Sequence, residues 1–432
     1  MEFSALAMIL IFIILMALHV PIAICIGMAT MVAMLFTIES TAALTTLAQQ
    51  MAGGVNSFAL LAIPFFILAG QLMGQGGIAH RLIEMAKVLI GRLPGGLALV
   101  NVMSSMLFGS ISGSAVAATS AIGGFMIPEM NKQGYKKEFN TAVTVASSTT
   151  GLLIPPSNIL IIYSLASGGV SIGALFVAGY LPGVLIGLMI MVSCMAYAIW
   201  HKYPRAERYG VKASFFKVLD AVPSLLMIVL IIGGIVGGIF TATEASVLAV
   251  LYALFLSVVV YRQVAIRDLP AILIKTVETT AIVMFLIATS AAMSWMLSYE
   301  QIPQLLSEAL LAMSENPLMV LLMINLILLL VGTFMDMTPA VLIFTPIFLP
   351  VAAEMGISPL HFGIMMILNL CIGLCTPPVG TVLFVGCGVG QTRIADLIKP
   401  LLPLYGAMLV ALVLVTFFPA ISEFLPRWFG LL

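Results

Sequence analysis

The chain has 432 residues, 62% hydrophobic and 8% charged, and its 17 basic and 17 acidic side chains balance. Soluble domains carry about 25% charged residues, so a mean hydropathy of +1.22 excludes a soluble globular protein and marks a polytopic membrane protein. Zero net charge without a basic run gives nucleic acid nothing to bind, and the five cysteines (Cys25, Cys194, Cys371, Cys375, Cys387) all sit in apolar segments, as core residues and not a disulfide framework.

The opening MEFSALAMILIFIILMALHVP lacks a basic n-region and a small-residue cleavage site, so it reads as a retained span. Residues 1–92 form a first group of helices that ends in the basic cluster 81–92. With basic clusters assigned to the cytoplasm, the stretch 38–56, free of lysine and arginine, lies outside, and so does the N-terminus. Residues 93–128 begin and end at basic clusters and re-emerge on the side they entered. Each limb is shorter than the roughly 20 residues of a full span, and GSISGSAVAATS fills the centre. A re-entrant hairpin is favoured over a pair of short spans, which charge does not exclude.

The next segment, 141–165, contains GLLIPPSN. Adjacent prolines remove two backbone donors and clash with the preceding turn, and in lipid the freed carbonyls find no water. A broken helix is expected. Residues 174–199 return to the basic stretch 202–217, and 222–260 hold two spans between basic loops. Residues 277–298 cross outward to the acidic, amphipathic stretch 300–316. Residues 317–350 then begin and end at acidic loops, a second same-side segment. A second broken helix, 361–387, carries GLCTPPVG inward to Arg393, and 401–424 leave again, placing the C-terminus outside.

The two Pro-Pro sites lie 222 positions apart, and that offset recurs. IPEMNKQG at 127–134 matches LPVAAEMG at 349–356, LFGSISGS at 107–114 matches LVGTFMDM at 330–337, and Pro94 and Pro182 find Pro317 and Pro403. The first same-side segment opens toward the basic face and the second toward the acidic face. The chain is therefore expected to be an inverted duplication, 1–217 and 218–432, with a binding region near mid-membrane at its broken helices.

Two polar clusters follow. Gly109, Ser110, Ser112, Gly113 and Ser114 form the first tip, with Gly151, Ile154, Pro155, Pro156, Ser157 and Asn158 at its break. Gly332, Thr333, Asp336 and Thr338 form the second, with Gly373, Thr376, Pro377, Pro378, Gly380 and Thr381. Hydroxyls and freed carbonyls are hard ligands suited to an alkali cation, and helix N-termini can hold an anion although neither tip carries lysine or arginine. Asp336 reads equally as a cation ligand or as a cap of the helix that follows. Glu244 in TATEAS reads as a cap.

FGSISGSAVA, IPPSN, GIFTATEAS and TPPVG together resemble the large membrane subunit of the tripartite ATP-independent periplasmic (TRAP) transporters, over essentially the whole chain. The resemblance implies an all-α inverted repeat of the ion-transporter superfamily, with two re-entrant hairpins and two broken Pro-Pro helices moving as an elevator against a scaffold (1–92 and 222–298). It implies sodium-driven uptake of an organic acid such as sialic acid, another sugar acid or a C4-dicarboxylate. The coupling sodium ions would use Ser110, Ser112, Gly151, Ile154 and Pro156 at one site, and Gly332, Asp336, Gly373, Thr376 and Val379 at the other. Substrate would meet Ser114, Ser157, Asn158, Thr338 and Thr381. No organic cofactor is implied. Partners would be a separate small four-helix membrane subunit and a periplasmic binding protein, in a bacterial inner membrane.

Ala242 stands where members often have proline, and GLLI replaces GPII; neither removes an expected ligand. An intramembrane enzyme is disfavoured, since His19, His80, His201 and His361 are scattered and no HExxH motif occurs. A binding-protein-independent carrier and an anion channel remain as alternatives.

Overall fold

The computed structural model describes residues 2–204, 210–314 and 316–432, and the described residues are helical and connecting segments. Residues 205–209, in the basic cluster 202–217, and Glu315, in the acidic stretch 300–316, lie outside them. The first half runs α1 (Glu2–Ala17), α2 (Ile22–Thr37), α3 (Ser40–Gly54), α4 (Ala62–Gln75), α5 (Ile78–Ile90), α6 (Gly96–Ser112), α7 (Ala115–Lys132), α8 (Lys137–Thr150), α9 (Asn158–Ala166) and α10 (Ile172–Trp200). The second half runs α11 (Val211–Val236), α12 (Ala242–Leu254), α13 (Leu269–Tyr299), α14 (Ile302–Met313), α15 (Pro317–Gly332), α16 (Met337–Glu354), α17 (Pro359–Gly373), α18 (Thr381–Gly390), α19 (Ile394–Phe417) and α20 (Ala420–Trp428). Among the described residues seven helical stretches are long and apolar enough to cross a membrane, α10, α11, α13 and α19 among them.

Local chemistry sets the joints. Gly113, at φ +63°, closes α6 in the left-handed region that a Cβ disfavours, and the Ser114 hydroxyl then accepts the Ala117 amide to start α7. Thr241 and Glu244 form a reciprocal capping box at α12, so Glu244 acts as the expected cap. The segment expected as one span over 401–424 instead stops at Phe417, with α20 beginning at Ala420. Pro419 supplies the reason, since it cannot donate within a continuing helix.

α6 and α7 pair as one hairpin and α15 and α16 as the other. The first limbs α6 and α15 have 17 and 16 residues, about 25 Å each at 1.5 Å per residue and short of the roughly 30 Å hydrocarbon core; the return limbs α7 and α16 have 18 each, and α16 is among the stretches long enough to cross. Each hairpin's first limb packs on the incoming helix of its own break, α6 on α8 and α15 on α17. Each break's outgoing helix crosses to the other hairpin, α9 onto α16 and α18 onto α7. Where hairpin meets break the contact is glycine on glycine. A Cβ added to Gly109 would lie 2.9 Å from the Gly151 Cα, and one added to Gly332 would lie 3.1 Å from the Gly373 Cα. Buried amides fasten the same pairs. Asn101 donates to Thr144 at 2.7 Å, and Asn369 donates to the Asn325 side chain at 2.8 Å.

The amphipathic helices α5 and α14 are held differently. α5 buries Ile78, Leu82, Ile83 and Ala86 and is pinned to α11 by Glu84–Lys217 at 2.5 Å and Arg81–Asp220 at 3.1 Å. α14 is tied to α16 by one bond, from the Ser307 hydroxyl to the Glu354 carboxylate at 2.5 Å.

Candidate functional site

Both hairpin tips and both breaks reach one cavity of about 670 Å³. From the first half come Ser112, Gly113, Ser114 and Asn158; from the second come Asp336, Thr338 and Thr381. Two spans that each turned at a membrane surface could not put their tips on one cavity. The two tips meet at one place in the fold, as re-entrant hairpins α6–α7 and α15–α16 would.

The second cluster is joined across its elements. Thr381 Oγ1 donates to Asp336 Oδ1 at 3.4 Å, and the Thr333 carbonyl accepts the amides of Val379 and Gly380 at 3.2 and 3.4 Å. Asp336 occupies the N-cap position of α16 but makes no side-chain capping bond. Its carboxylate lines the cavity and accepts from Thr381. In the first cluster the Ser157 hydroxyl and Asn158 Oδ1 are buried without a hydrogen-bond partner. The Asn158 amide lies beside Gly113, whose added Cβ would stand 3.1 Å from Nδ2. Buried polar oxygens left unpaired are costly, which fits a site that takes a cation or a polar ligand there.

Several expected residues do not line the cavity. Ser110, Gly151, Ile154, Pro156 and Ser157 lie buried behind the first tip, with the Ser110 hydroxyl donating to the Leu107 carbonyl at 2.8 Å. Gly332, Gly373, Thr376 and Val379 likewise stand outside its lining, and Thr376 donates to Ile372 at 2.7 Å. Both Pro-Pro bonds are cis. The breaks differ in cover: residues 151–157 are buried throughout, whereas Pro378 and Val379 are exposed. The first break is closed by α10, where a Cβ on Gly183 would stand 2.5 Å from Ile154.

The cavity's other wall was not foreseen. α4 contributes Ile63, Ile67, Gln71 and Gln75, and α13 contributes Lys275, Thr279, Ile282 and Leu286. Each set follows i, i+3 or i, i+4 steps along one helical face, apolar at one end and polar at the other. The glutamines in FFILAGQLMGQ carried that signal, a polar pair one turn apart in an apolar helix. Among the described residues no group of three or more histidine, cysteine, aspartate or glutamate side chains could hold a metal. Oxygen ligation here falls to hydroxyls, carbonyls and the one carboxylate.

Comparison with known proteins agrees with this architecture. The family model "Tripartite ATP-independent periplasmic transporter, DctM component" matches residues 9–421. The chain is 51% identical to the uncharacterized protein YgiK of Salmonella typhimurium, covering 97% of this chain and 96% of that one. It is 43% identical to the sialic acid TRAP transporter large permease protein SiaM of Vibrio cholerae, over 88% and 89% of the two chains. It is 37% identical to the C4-dicarboxylate TRAP transporter large permease protein DctM of Rhodobacter capsulatus, over 99% and 100%. The crystal structure of the Alcanivorax borkumensis YdaH transporter shares the fold, with a TM-score of 0.61, 16% identity and coverage of 92% and 90%.

Proposed function

The chain belongs to the DctM-component family of tripartite ATP-independent periplasmic transporters, as a multi-pass membrane component and not an enzyme, and from that premise we propose that it carries an organic acid anion into the cell on an inward sodium gradient. The observation that carries this reading is the single cavity where both tips and both breaks converge, with Ser114, Asn158, Asp336, Thr338 and Thr381 facing it. Hydroxyls and an amide suit a carboxylate with further polar groups. The relatives' substrates, sialic acid and C4-dicarboxylate, fall in one chemical class but differ in shape, so the class is assigned and the individual acid is left to measurement.

Sodium ions would be held by hard oxygen ligands behind the tips. At the first site these come from Ser110, Ser112, Gly151, Ile154 and Pro156, beside the unpaired Ser157 hydroxyl. At the second they come from Gly332, Asp336, Gly373, Thr376 and Val379, with the Asp336 charge offsetting the cation. A bound cation neutralises Asp336 and so lets an anion approach the same tips, which makes the two bindings cooperative.

The moving unit would comprise the hairpins 93–128 and 317–350 with the broken helices 141–165 and 361–387. It would slide against a scaffold of 1–92 and 222–298 in an elevator cycle, with 300–316 as a connecting arm. The polar ends of α4 and α13 border the basic clusters at 81–92 and 262–275, so the cavity opens toward the cytoplasm, with both termini periplasmic in the inner membrane. A periplasmic binding protein would deliver the acid, and a separate small membrane subunit would complete the transporter.

The test is uptake into proteoliposomes holding this chain and its small subunit, with labelled N-acetylneuraminate, other sugar acids and succinate. Uptake that requires both the binding protein and an inward sodium gradient is the expected result. Equilibrative flux needing neither would overturn the proposal in favour of a channel, and sodium-driven flux without the binding protein would leave a simple ion-coupled carrier.

A further inference from the structure

Among the residues lining the cavity two carry ionisable side chains of opposite sign, and they come from different elements. Asp336 comes from a hairpin tip and Lys275 from α13. Lys275 is exposed, and among the described residues it is in no ion pair. It begins beyond the first turn of α13, which starts at Leu269, while Arg262 and Arg267 already occupy the loop before the helix. A charge needed merely to orient the span would be served by those two. Lys275 instead heads the cavity stripe, with Thr279 one turn on and Ile282, Val283 and Leu286 beyond, and Gln71 and Gln75 of α4 are on the same wall. A cation beside amide and hydroxyl groups at the end of an otherwise apolar wall matches a carboxylate with a polar neighbour, and it carries the sign that Asp336 lacks.

We propose that Lys275 is a specificity-determining residue of the transporter. It binds the carboxylate of the organic acid on the fixed α13 wall of the cavity, as a stage separate from the hairpin tips. The proposal rests on the reading of the chain as an organic-anion carrier. On this geometry the acid leaving the tips exchanges their hydroxyls and helix ends for the ammonium of Lys275. A neutral analogue has nothing to gain there.

The experiment uses the reconstituted chain with its small subunit and binding protein, and the labelled acid that the wild type carries, N-acetylneuraminate or succinate. Lys275→Gln is expected to raise KM about tenfold with kcat within about twofold, and Lys275→Arg to stay near wild type. The wild-type KM should rise with added salt, and that of Lys275→Gln should not. In the unmutated complex, saturating acid should protect Lys275 from amine acylation, read by mass spectrometry; this holds even if Lys275→Gln fails to assemble. An unchanged KM with unchanged salt dependence, or an unprotected Lys275 in protein that transports, overturns the proposal while leaving carrier function intact. If the wild type carries none of the acids in the panel, the functional reading fails first and this inference falls with it.

Discussion

The Thr381 hydroxyl reaches the Asp336 carboxylate across 3.4 Å and so ties the end of the second break to the second hairpin tip. The contact is long for an O–H···O bond, which leaves the carboxylate free to take a stronger partner. Asp336→Asn keeps the shape and removes the charge. It is expected to raise the sodium concentration for half-maximal uptake at least about tenfold, and Thr381→Val about threefold. Uptake measured against sodium at fixed acid checks both, and an unchanged sodium curve for Asp336→Asn would assign the residue elsewhere.

Gly109 is expected to tolerate no side chain, because an added Cβ meets the Gly151 backbone at 2.9 Å; at Gly332 the corresponding contact is 3.1 Å, tight enough that the Gly373 backbone must give by a few tenths of an ångström. Gly109→Ala should destabilise the folded protein by about 1–3 kcal/mol. Gly124 on α7 has open space around the same position, so Gly124→Ala should be neutral or stabilising by up to about 1 kcal/mol. Thermal unfolding in detergent compares the two. Equal melting temperatures would remove the close-approach argument.

Ser157 gives a cleaner separation of folding from function. Its hydroxyl is buried and has no hydrogen-bond partner, so Ser157→Ala removes nothing the fold uses and should change stability by less than about 1 kcal/mol. If the hydroxyl serves a ligand, KM for the acid or for sodium rises about fivefold or more in the same variant. A large loss of stability with normal transport would reverse that assignment.

The α5 clamp predicts a pH dependence. Burial pushes the Glu84 carboxyl up, and its bonds to Lys217 and Lys87 outweigh burial and hold it below the usual carboxylate range. A carboxyl depressed in the folded state contributes stability above its unfolded value of about 4.3 and loses it as pH falls through the folded value. Glu84→Gln should therefore lower stability by about 1 kcal/mol at pH 7, and the difference should close as pH drops below about 4. Melting curves of both proteins from pH 7 to about pH 3.5 measure it.

The duplication was legible because prolines and glycines punctuate a chain whatever packs around it, as at Pro155, Pro156, Pro377 and Pro378. The tips were legible too, since Ser112, Ser114, Asp336 and Thr338 are polar where lipid would forbid it. Two matters were not. The Asp336 side chain reads from sequence as cap or ligand, and its contact with Thr381 was out of reach there, because N-cap propensity is local and that partner lies 45 positions away. Lys275 looked like one more cytoplasmic charge, because charge placement fixes a side of the membrane and says nothing of which helix face meets a cavity. The i, i+4 pairs Gln71–Gln75 and Lys275–Thr279 showed a polar face; only the folded chain brings those faces and the tips to one cavity.

The unequal cover of the two breaks decides where the molecule can be watched from outside. Val379 is 39% exposed, so no part of this chain bars a thiol reagent that reaches its depth from a cysteine placed there. Ser157 lies 222 positions earlier and is fully buried, so the same reagent waits for the α10 side to part. One position of the duplicated pair is a lamp and the other a clock. Labelling at 379 reports occupancy at once, and the labelling rate at 157 times the opening of the sealed half.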